Sequence, residues 1–204
     1  MNTCSHEQMF KVGLTGGIGS GKSIVARMFG VLEVPVFHSV EQAKSLMNAD
    51  VSVREAIATR FGSAIYHDDE LDRKALASMV FTDATALADL NAIVHPAVRK
   101  AFADWAAQQR SSYVLMEAAV MAENEGYKQF DRVIAVSCPQ EERVRRVMER
   151  DGVGEESVKA RMQHQASEEE RLRISQYVVQ NDGSQLVIPQ VLAMHAVLLN
   201  LANA

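Results

Sequence analysis

A glycine-rich stretch at residues 16–23 constrains this chain more than any other feature of its sequence. It reads Gly-Gly-Ile-Gly-Ser-Gly-Lys-Ser and matches G-x-x-x-x-G-K-[ST] at every specified position. The apolar run Phe10–Leu14 comes directly before it, and Ile24–Phe29 continues after it with helical character. The sequence therefore predicts a buried strand, a tight loop and a helix, and this context argues against a chance glycine-rich turn.

The residue types in this loop are those that binding of a nucleoside triphosphate needs. Glycines let consecutive backbone N–H groups turn inward to form an anion-binding nest, and the helix adds the positive end of its dipole. Lys22 supplies a charge for the β- and γ-phosphates, while Ser23 and Glu117, which ends an apolar run, are candidate Mg²⁺ ligands. We therefore predict that ATP and Mg²⁺ are bound here, with the nucleotide contacted by Gly16, Gly17, Ile18, Gly19, Ser20, Gly21, Lys22, Ser23 and Ile24.

Apolar strands and charged helices alternate along the rest of the chain. The stretch 41–109 is rich in Ala, Leu and Arg and is predicted to form several helices, with a break at Pro96. Alternation of this kind is typical of an α/β fold with a mostly parallel sheet, here of five strands. The remaining predicted strands are Val34–Phe37, Tyr113–Met116, Val133–Ser137 and Tyr177–Val179, and the remaining helices are Pro139–Arg150, Glu155–Arg173 and Gln190–Leu201.

Composition and charge argue against several classes of protein. The chain has 204 residues, 48% of them hydrophobic and 23% charged, which is typical of one soluble globular core. A net charge of −5 argues against a nucleic-acid partner, although a local positive cleft can still hold a small anion. Cys4 and Cys138 lack metal-ligand spacing and indicate a reducing compartment. The first nine residues lack the apolar core of a signal peptide, and no stretch approaches 18 apolar residues. We therefore expect a cytoplasmic monomer or weak homo-oligomer with no membrane partner.

The predicted helix 139–150 carries a basic face. At about 100° per residue, Arg143, Arg146 and Arg150 share one side of this helix and apolar residues share another. If the apolar side packs on the sheet, the arginines lie over the cleft, where guanidinium groups suit phosphate oxygens. Pairing with nearby glutamates on a solvated surface is the alternative.

Further short motifs follow the loop in order along nearly the whole chain. They are Leu71-Asp72-Arg73, Val80-Phe81, Leu90-Asn91, His95-Pro96, Glu117–Glu123, Arg143-x-x-Arg146-x-x-x-Arg150-Asp151, Arg161-x-x-x-Gln165 and Tyr177-Val178-Val179-x-Asn181. Together with Lys11–Ser23, this series resembles the dephospho-CoA kinase family. The resemblance implies ATP-dependent phosphorylation of the ribose 3′-hydroxyl of dephospho-CoA, the last step of CoA biosynthesis.

The same resemblance implies an architecture and roles for individual residues. It implies a three-layer P-loop kinase fold over residues 1–204, with a helical acceptor-binding region at 40–108 and a lid at 150–170. Lys22 and Arg150 are implied to neutralise the transferred phosphoryl group, with Arg146 also facing ATP. The residues implied to bind the acceptor are Asp72, Arg73, His95 and Glu117. The alternatives are a surface ion pair for Asp72 and Arg73, and structural roles for His95 and Glu117.

The chain departs from the family pattern just after the second strand. The family usually shows Asp-x-Asp there, and its second aspartate is taken to be the general base; here the residues are His38-Ser39-Val40. Valine cannot accept a proton, so His38 is the predicted catalytic base, with a purely structural histidine as the alternative. Loss of a base costs about 10²–10⁴-fold in rate. A kinase for another small alcohol or nucleotide, and a nucleotide-binding protein with weakened catalysis, therefore stay open.

Overall fold

The computed structural model describes residues 9–81, 83–123 and 125–204. Its strands are β1 Phe10–Thr15, β2 Val36–His38, β3 Tyr66–His67, β4 Glu70–Leu71, β5 Tyr113–Glu117, β6 Arg132–Ser137 and β7 Tyr177–Gln180. Its α-helices are α1 Lys22–Val31, α2 Ser39–Ala49, α3 Val51–Phe61, α4 Arg73–Phe81, α5 Ala84–Ala106, α6 Gln140–Asp151, α7 Glu155–Gln163, α8 Glu168–Arg173 and α9 Val187–Ala202. None of the helices in these ranges is long and apolar enough to cross a membrane.

Five of the strands form one sheet in the order β2-β5-β1-β6-β7. The pairings of β1 with β5 and β6, and of β6 with β7, are parallel, which confirms the predicted sheet. In this register Leu14 lies beside Glu117 on one side and Ile134 on the other. The carboxyl end of β1, where the glycine loop begins, therefore lies between the ends of β5 and β6.

Both faces of the sheet are buried, as parallel sheets require. On one face Val12 and Leu14 pack in a core that includes Phe29 of α1 and Leu198 of α9. On the opposite face Gly13 packs so closely against the segment after β5 that a side chain there would displace Met121. A Cβ atom there would lie 2.8 Å from the Met121 sulfur.

Residues 38–108 form a separate compact unit, and the sheet with its helices forms the other. Within 38–108, α5 contacts α2, α3 and α4, and the antiparallel pair β3–β4 forms a two-stranded sheet. The predicted acceptor-binding region 40–108 falls inside this unit, and its role stays a prediction.

Three sequence-based boundaries were wrong. Helix α5 runs through Pro96, because Val94 and Val98 on either side of it are buried. The second strand begins after Pro35, which has no N–H to donate and contributes only its carbonyl, to Leu115 N at 2.9 Å. The predicted helix 155–173 is two helices, because Ser167 starts α8 with a capping box.

Two valines of α1 provide a matched test of where the core of the sheet unit lies. Val25 is fully buried, whereas Val31 on the same helix is 83% exposed. We expect Val25→Ala to lower the free energy of unfolding by about 2 kcal/mol, because it removes buried methyl groups and leaves a cavity. Val31→Ala should change it by less than about 0.5 kcal/mol. Urea denaturation of both variants measures the difference, and equal effects would contradict the described packing of α1.

Candidate active site

The loop between β1 and α1 folds back on itself before the helix begins. The Ser20 N–H donates to the Gly17 carbonyl at 3.0 Å, which closes a tight turn. Gly19 and Gly21 have φ angles of 79° and 92°, in the left-handed region that favours glycine. The N–H of Ile24 then donates to Gly21 O at 3.0 Å as the first bond of α1. The predicted strand, loop and helix are therefore present.

Neighbouring backbone approaches this loop too closely for side chains. A Cβ atom on Gly16 would lie 2.9 Å from the Val136 carbonyl oxygen, and one on Gly19 would lie 2.4 Å from the Arg143 carbonyl oxygen. Carbonyl groups within β6 and α6 cannot move aside as a flexible side chain can. Glycine at positions 16 and 19 is therefore required by packing as well as by the turn.

Lys22, Ser23 and Glu117 meet at the end of the loop. The Ser23 hydroxyl donates to Glu117 Oε1 at 2.7 Å, and Lys22 Nζ lies 3.7 Å from the same oxygen. The side chains of Lys22 and Glu117 are only 13% and 11% exposed. Burial lowers the pKa of Lys22, the Glu117 carboxylate opposes that effect, and the charge of Arg150 lowers the pKa further. The arrangement holds one cation and two oxygen ligands at the carboxyl edge of the sheet.

The chemistry of these oxygen atoms fits Mg²⁺. Mg²⁺ usually takes one or two protein ligands and completes its shell with water and substrate phosphates. A hydroxyl and a carboxylate oxygen 2.7 Å apart match that donor set. The described residues contain no group of three or more His, Cys, Asp or Glu side chains that could hold a metal by themselves.

The three arginines of α6 that were predicted to share one face have different environments. Arg143 is buried at 6% exposure, Arg146 is partly buried, and the Arg150 side chain is 63% exposed. The apolar side of α6 packs at least partly on α7. Val147 belongs to a separate cluster with Val158 of α7, and Ile18 of the glycine loop packs against that cluster.

Arg150 and its neighbours form an ion-pair group at the end of α6. Arg150 Nε donates to Asp151 Oδ1 at 2.7 Å, and Arg161 Nη1 of α7 donates to Asp151 Oδ2 at 2.9 Å. These bonds hold the pKa of Asp151 below its ordinary value, with the Arg150 hydrogen bond as the largest cause. The guanidinium of Arg150 thus has a carboxylate partner in this state while its charge still reaches Lys22.

Two side chains from distant segments hydrogen-bond to the backbone of the loop. Asn181, just after β7, donates through Nδ2 to the Ser20 carbonyl at 2.7 Å, and Arg146 Nη2 donates to the Asn181 carbonyl at 3.1 Å. Gln165, between α7 and α8, accepts from the Ile18 N–H through Oε1 at 2.9 Å. Arg146 is therefore linked to the loop by way of Asn181, whereas Gln165 hydrogen-bonds to the loop directly.

The remaining predicted residues lie in the unit 38–108. Asp72 caps α4, because its Oδ1 accepts from the N–H groups of Ala75 at 2.9 Å and Lys74 at 3.0 Å. The Ala75 bond is the largest cause of a lowered Asp72 pKa. Arg73 is exposed on the first turn of that helix. Asp72 thus has a structural role in this state, and acceptor binding by these two residues stays a prediction.

His38 and Val40 lie where β2 passes into α2. His38 is the last residue of the strand and precedes the first helical residue, Ser39. Val40 is 54% exposed in the first turn of α2. His95 is half-buried on α5. Proton transfer at residue 38 and acceptor binding at His95 stay predictions.

Arg171 was not among the residues predicted from sequence. It lies on α8 and is 3% exposed, and one of its nitrogens, Nη2, lies 3.1 Å from the position of a Cβ on Gly17. Spacing along α8 does not distinguish it from its exposed neighbour Arg173, because the short charged helix has no clear apolar period. Only the tertiary structure identifies the buried arginine.

Comparison with known proteins agrees with the motif order. A family model described as dephospho-CoA kinase matches residues 10–186. The dephospho-CoA kinase of Salinibacter ruber is 42% identical over 180 residues, covering 86% of this chain and 90% of that protein. That of Bacteroides fragilis is 33% identical over 189 residues, covering 92% of each. A Thermus thermophilus protein of known crystal structure is 34% identical, covers 95% of this chain and 98% of its own, and has a TM-score of 0.82. This chain therefore belongs to the dephospho-CoA kinase family.

Proposed function

We propose that this chain transfers the γ-phosphoryl group of ATP to the ribose 3′-hydroxyl of dephospho-CoA, giving ADP and CoA. Family membership supports an ATP-dependent kinase acting on dephospho-CoA. The observation that carries the proposal is the contact of Lys22 and Ser23 with Glu117 at the end of the glycine loop. That contact combines a phosphate-directed cation with oxygen ligands, which phosphoryl transfer requires.

The residues of the loop act by positioning and charge. Inward-facing N–H groups of residues 16–23 bind the phosphates, and Lys22 neutralises charge on the β- and γ-phosphoryl oxygens. Arg150 adds a second cation when its guanidinium leaves Asp151 for the phosphate. Ser23 and Glu117 would hold Mg²⁺, which when bound supplies further charge neutralisation.

The segment 150–170 serves as the lid in this proposal. It includes Gly152, which ends α6 with a φ of 66°, and Gln165, whose Oε1 accepts from the Ile18 N–H of the loop. Asp151 holds Arg150 and Arg161 together at its start. Phosphates that compete for these arginines would change the order of the segment.

His38 is the proposed proton acceptor for the 3′-hydroxyl, since Val40 occupies the position of the usual aspartate.

The second candidate function follows from the same observation. With Val40 in place of a carboxylate, the chain would bind ATP and dephospho-CoA yet turn over slowly. Turnover with dephospho-CoA, followed by release of ADP, separates these two functions.

Lys22→Ala tests the phosphate site. We expect kcat with ATP and dephospho-CoA to fall by about 10²–10³-fold, because a cation facing the transferred group is lost. The thermal unfolding midpoint should fall somewhat, because the Glu117 carboxylate, only 11% exposed, loses its cationic partner; the kinetic assay is therefore run well below that midpoint. Lys128→Ala is the control, because Lys128 pairs with Glu125 on the surface. Wild-type turnover in Lys22→Ala would refute the assigned site.

Val40→Asp tests the missing base. We expect kcat with dephospho-CoA to rise by about 10²-fold, because a carboxylate replaces a side chain that cannot accept a proton. Val40→Asn is the matched control, similar in size and polarity but without a base. His38→Ala should abolish the remaining activity of the wild type. If Asp and Asn at position 40 give equal rates and His38→Ala is silent, neither residue accepts the proton.

Limited trypsin digestion tests the lid. Saturating ATP with Mg²⁺ should slow cleavage after Arg150, Lys159 and Arg161 by several-fold, because contacts with phosphate order the segment. Lys22→Ala at the same nucleotide concentration should show little protection. Fragment masses identify the cleaved bonds, and unchanged cleavage of the wild type with ATP would argue against a lid here.

A further inference from the structure

Two buried arginines lie side by side against the glycine loop. Arg143 on α6 is 6% exposed and Arg171 on α8 is 3% exposed. Both guanidinium groups lie close to Gly17. A Cβ atom on this residue would lie 2.2 Å from Arg143 Nη1 and 3.1 Å from Arg171 Nη2. The two guanidinium groups therefore lie beside the same glycine of the loop.

Among the described residues, the two guanidinium groups have few hydrogen-bond and ion-pair partners. Arg143 Nε donates to the Cys138 carbonyl at 3.0 Å, and Arg171 donates to the Ala166 carbonyl through Nη1. Arg171 Nη2 also donates to Glu168 Oε2 at 3.1 Å, and this is the one ion pair of the two arginines among the described residues. In that same part of the chain Arg171 Nε is buried without a hydrogen-bond partner.

The charges at this place do not balance. Within residues 9–81, 83–123 and 125–204, Glu168 is the single carboxylate in an ion pair with either arginine, and its side chain is 34% exposed, so solvent weakens its effect. Burial lowers the pKa of Arg143, and the neighbouring charge of Arg171 lowers it further. The charge of Arg171 also lowers the pKa of Lys22. Lys22, Arg143 and Arg171 thus place an excess of positive charge at the loop.

A purely structural role does not account for this excess. Buried ion pairs are rarely more stable than apolar residues of similar volume, and a buried charge without full compensation destabilises the fold. The aliphatic cluster of Val144 and Val147 on α6 with Val158 on α7 shows that apolar packing is available next to Arg143. An anionic ligand at the loop would provide the missing negative charge.

We propose that Arg143 and Arg171 form a buried cationic pair that strengthens binding of the nucleotide's phosphates at the loop. They act as positioning residues: they support the backbone at Gly17 and add a fixed positive field to that of Lys22. The ligand class is a polyphosphate, either the di- or triphosphate of a nucleotide or the inorganic chain. This inference rests on the proposed ATP site and adds two residues to it.

The test compares Arg171→Gln with Arg171→Lys, and uses Arg173→Gln as the control. Arg173 lies on the same helix and is exposed, so the control makes the same charge change away from the loop. Isothermal titration should show the dissociation constant for MgADP rising about tenfold or more in Arg171→Gln, because a buried charge near the phosphates acts through a low dielectric. Arg171→Lys should recover at least half of the lost binding free energy, and Arg173→Gln should match the wild type.

Inorganic tripolyphosphate and adenosine separate charge from shape. In Arg171→Gln the affinity for tripolyphosphate should fall by a factor similar to that for MgADP, while the small stabilisation by adenosine in thermal unfolding should stay unchanged. Equal loss for adenosine and tripolyphosphate would show a distorted site and overturn the proposal. Unchanged MgADP affinity in both Arg171→Gln and Arg143→Gln would overturn it as well.

Wild-type protein keeps the proposal testable if the glutamine variants do not fold. The nucleotide-free wild type should gain several degrees in thermal midpoint with tripolyphosphate, compared with sodium chloride of equal ionic strength. No gain would overturn the proposal.

Lys22→Ala distinguishes the arginine-pair hypothesis from the ATP-site hypothesis. Loss of turnover in Lys22→Ala, together with unchanged MgADP affinity in the arginine variants, refutes only the arginine pair. Wild-type turnover in Lys22→Ala refutes the ATP site itself.

Discussion

The close approach of backbone to backbone around the glycine loop is the constraint on which the rest of the site depends. The carbonyl of Val136 in β6 and that of Arg143 in α6 occupy the space where side chains at positions 16 and 19 would lie. This crowding holds the loop, which follows β1, against β6 and α6. It also brings α6 near enough for the guanidinium of Arg143 to reach Gly17. The loop is therefore held by its surroundings and not by its own turn alone.

Electrostatics in the site follow from that packing. Lys22 is balanced by Glu117, which arrives because β5 pairs with β1 in parallel register. Arg150 is balanced by Asp151, in an exposed pair that a phosphate can replace. In the part of the chain that the structure describes, the buried pair of Arg143 and Arg171 has Glu168 as its one ion-pair partner. The state described here thus contains more fixed positive charge at the loop than its own carboxylates neutralise, as a site for polyphosphate requires.

The departure at Val40 separates two contributions to catalysis that usually occur together. The structure brings Lys22, Ser23 and Glu117 together at the glycine loop, whereas Val40 stands where the resemblance to the family implies a carboxylate for the acceptor hydroxyl. Phosphoryl transfer depends chiefly on positioning and charge, because its transition state is loose in most analyses. A chain that retains the positioning and the charge therefore keeps most of what phosphoryl transfer needs. The rate of its chemical step then depends on which group replaces the aspartate.

The sequence by itself determined the strand–loop–helix, the five-stranded parallel sheet and the family, because these depend on local patterns: glycine spacing, apolar runs and the order of short motifs. It also predicted roles at one site for Lys22, Ser23 and Glu117, which the structure brings together at the end of the glycine loop. Only the tertiary structure decided which arginines are buried, that Asp72 caps a helix, and that α5 continues through Pro96. The physical reason is that burial and hydrogen bonding between segments far apart in sequence, such as Gln165 with Ile18 or Asn181 with Ser20, depend on packing that leaves no local pattern.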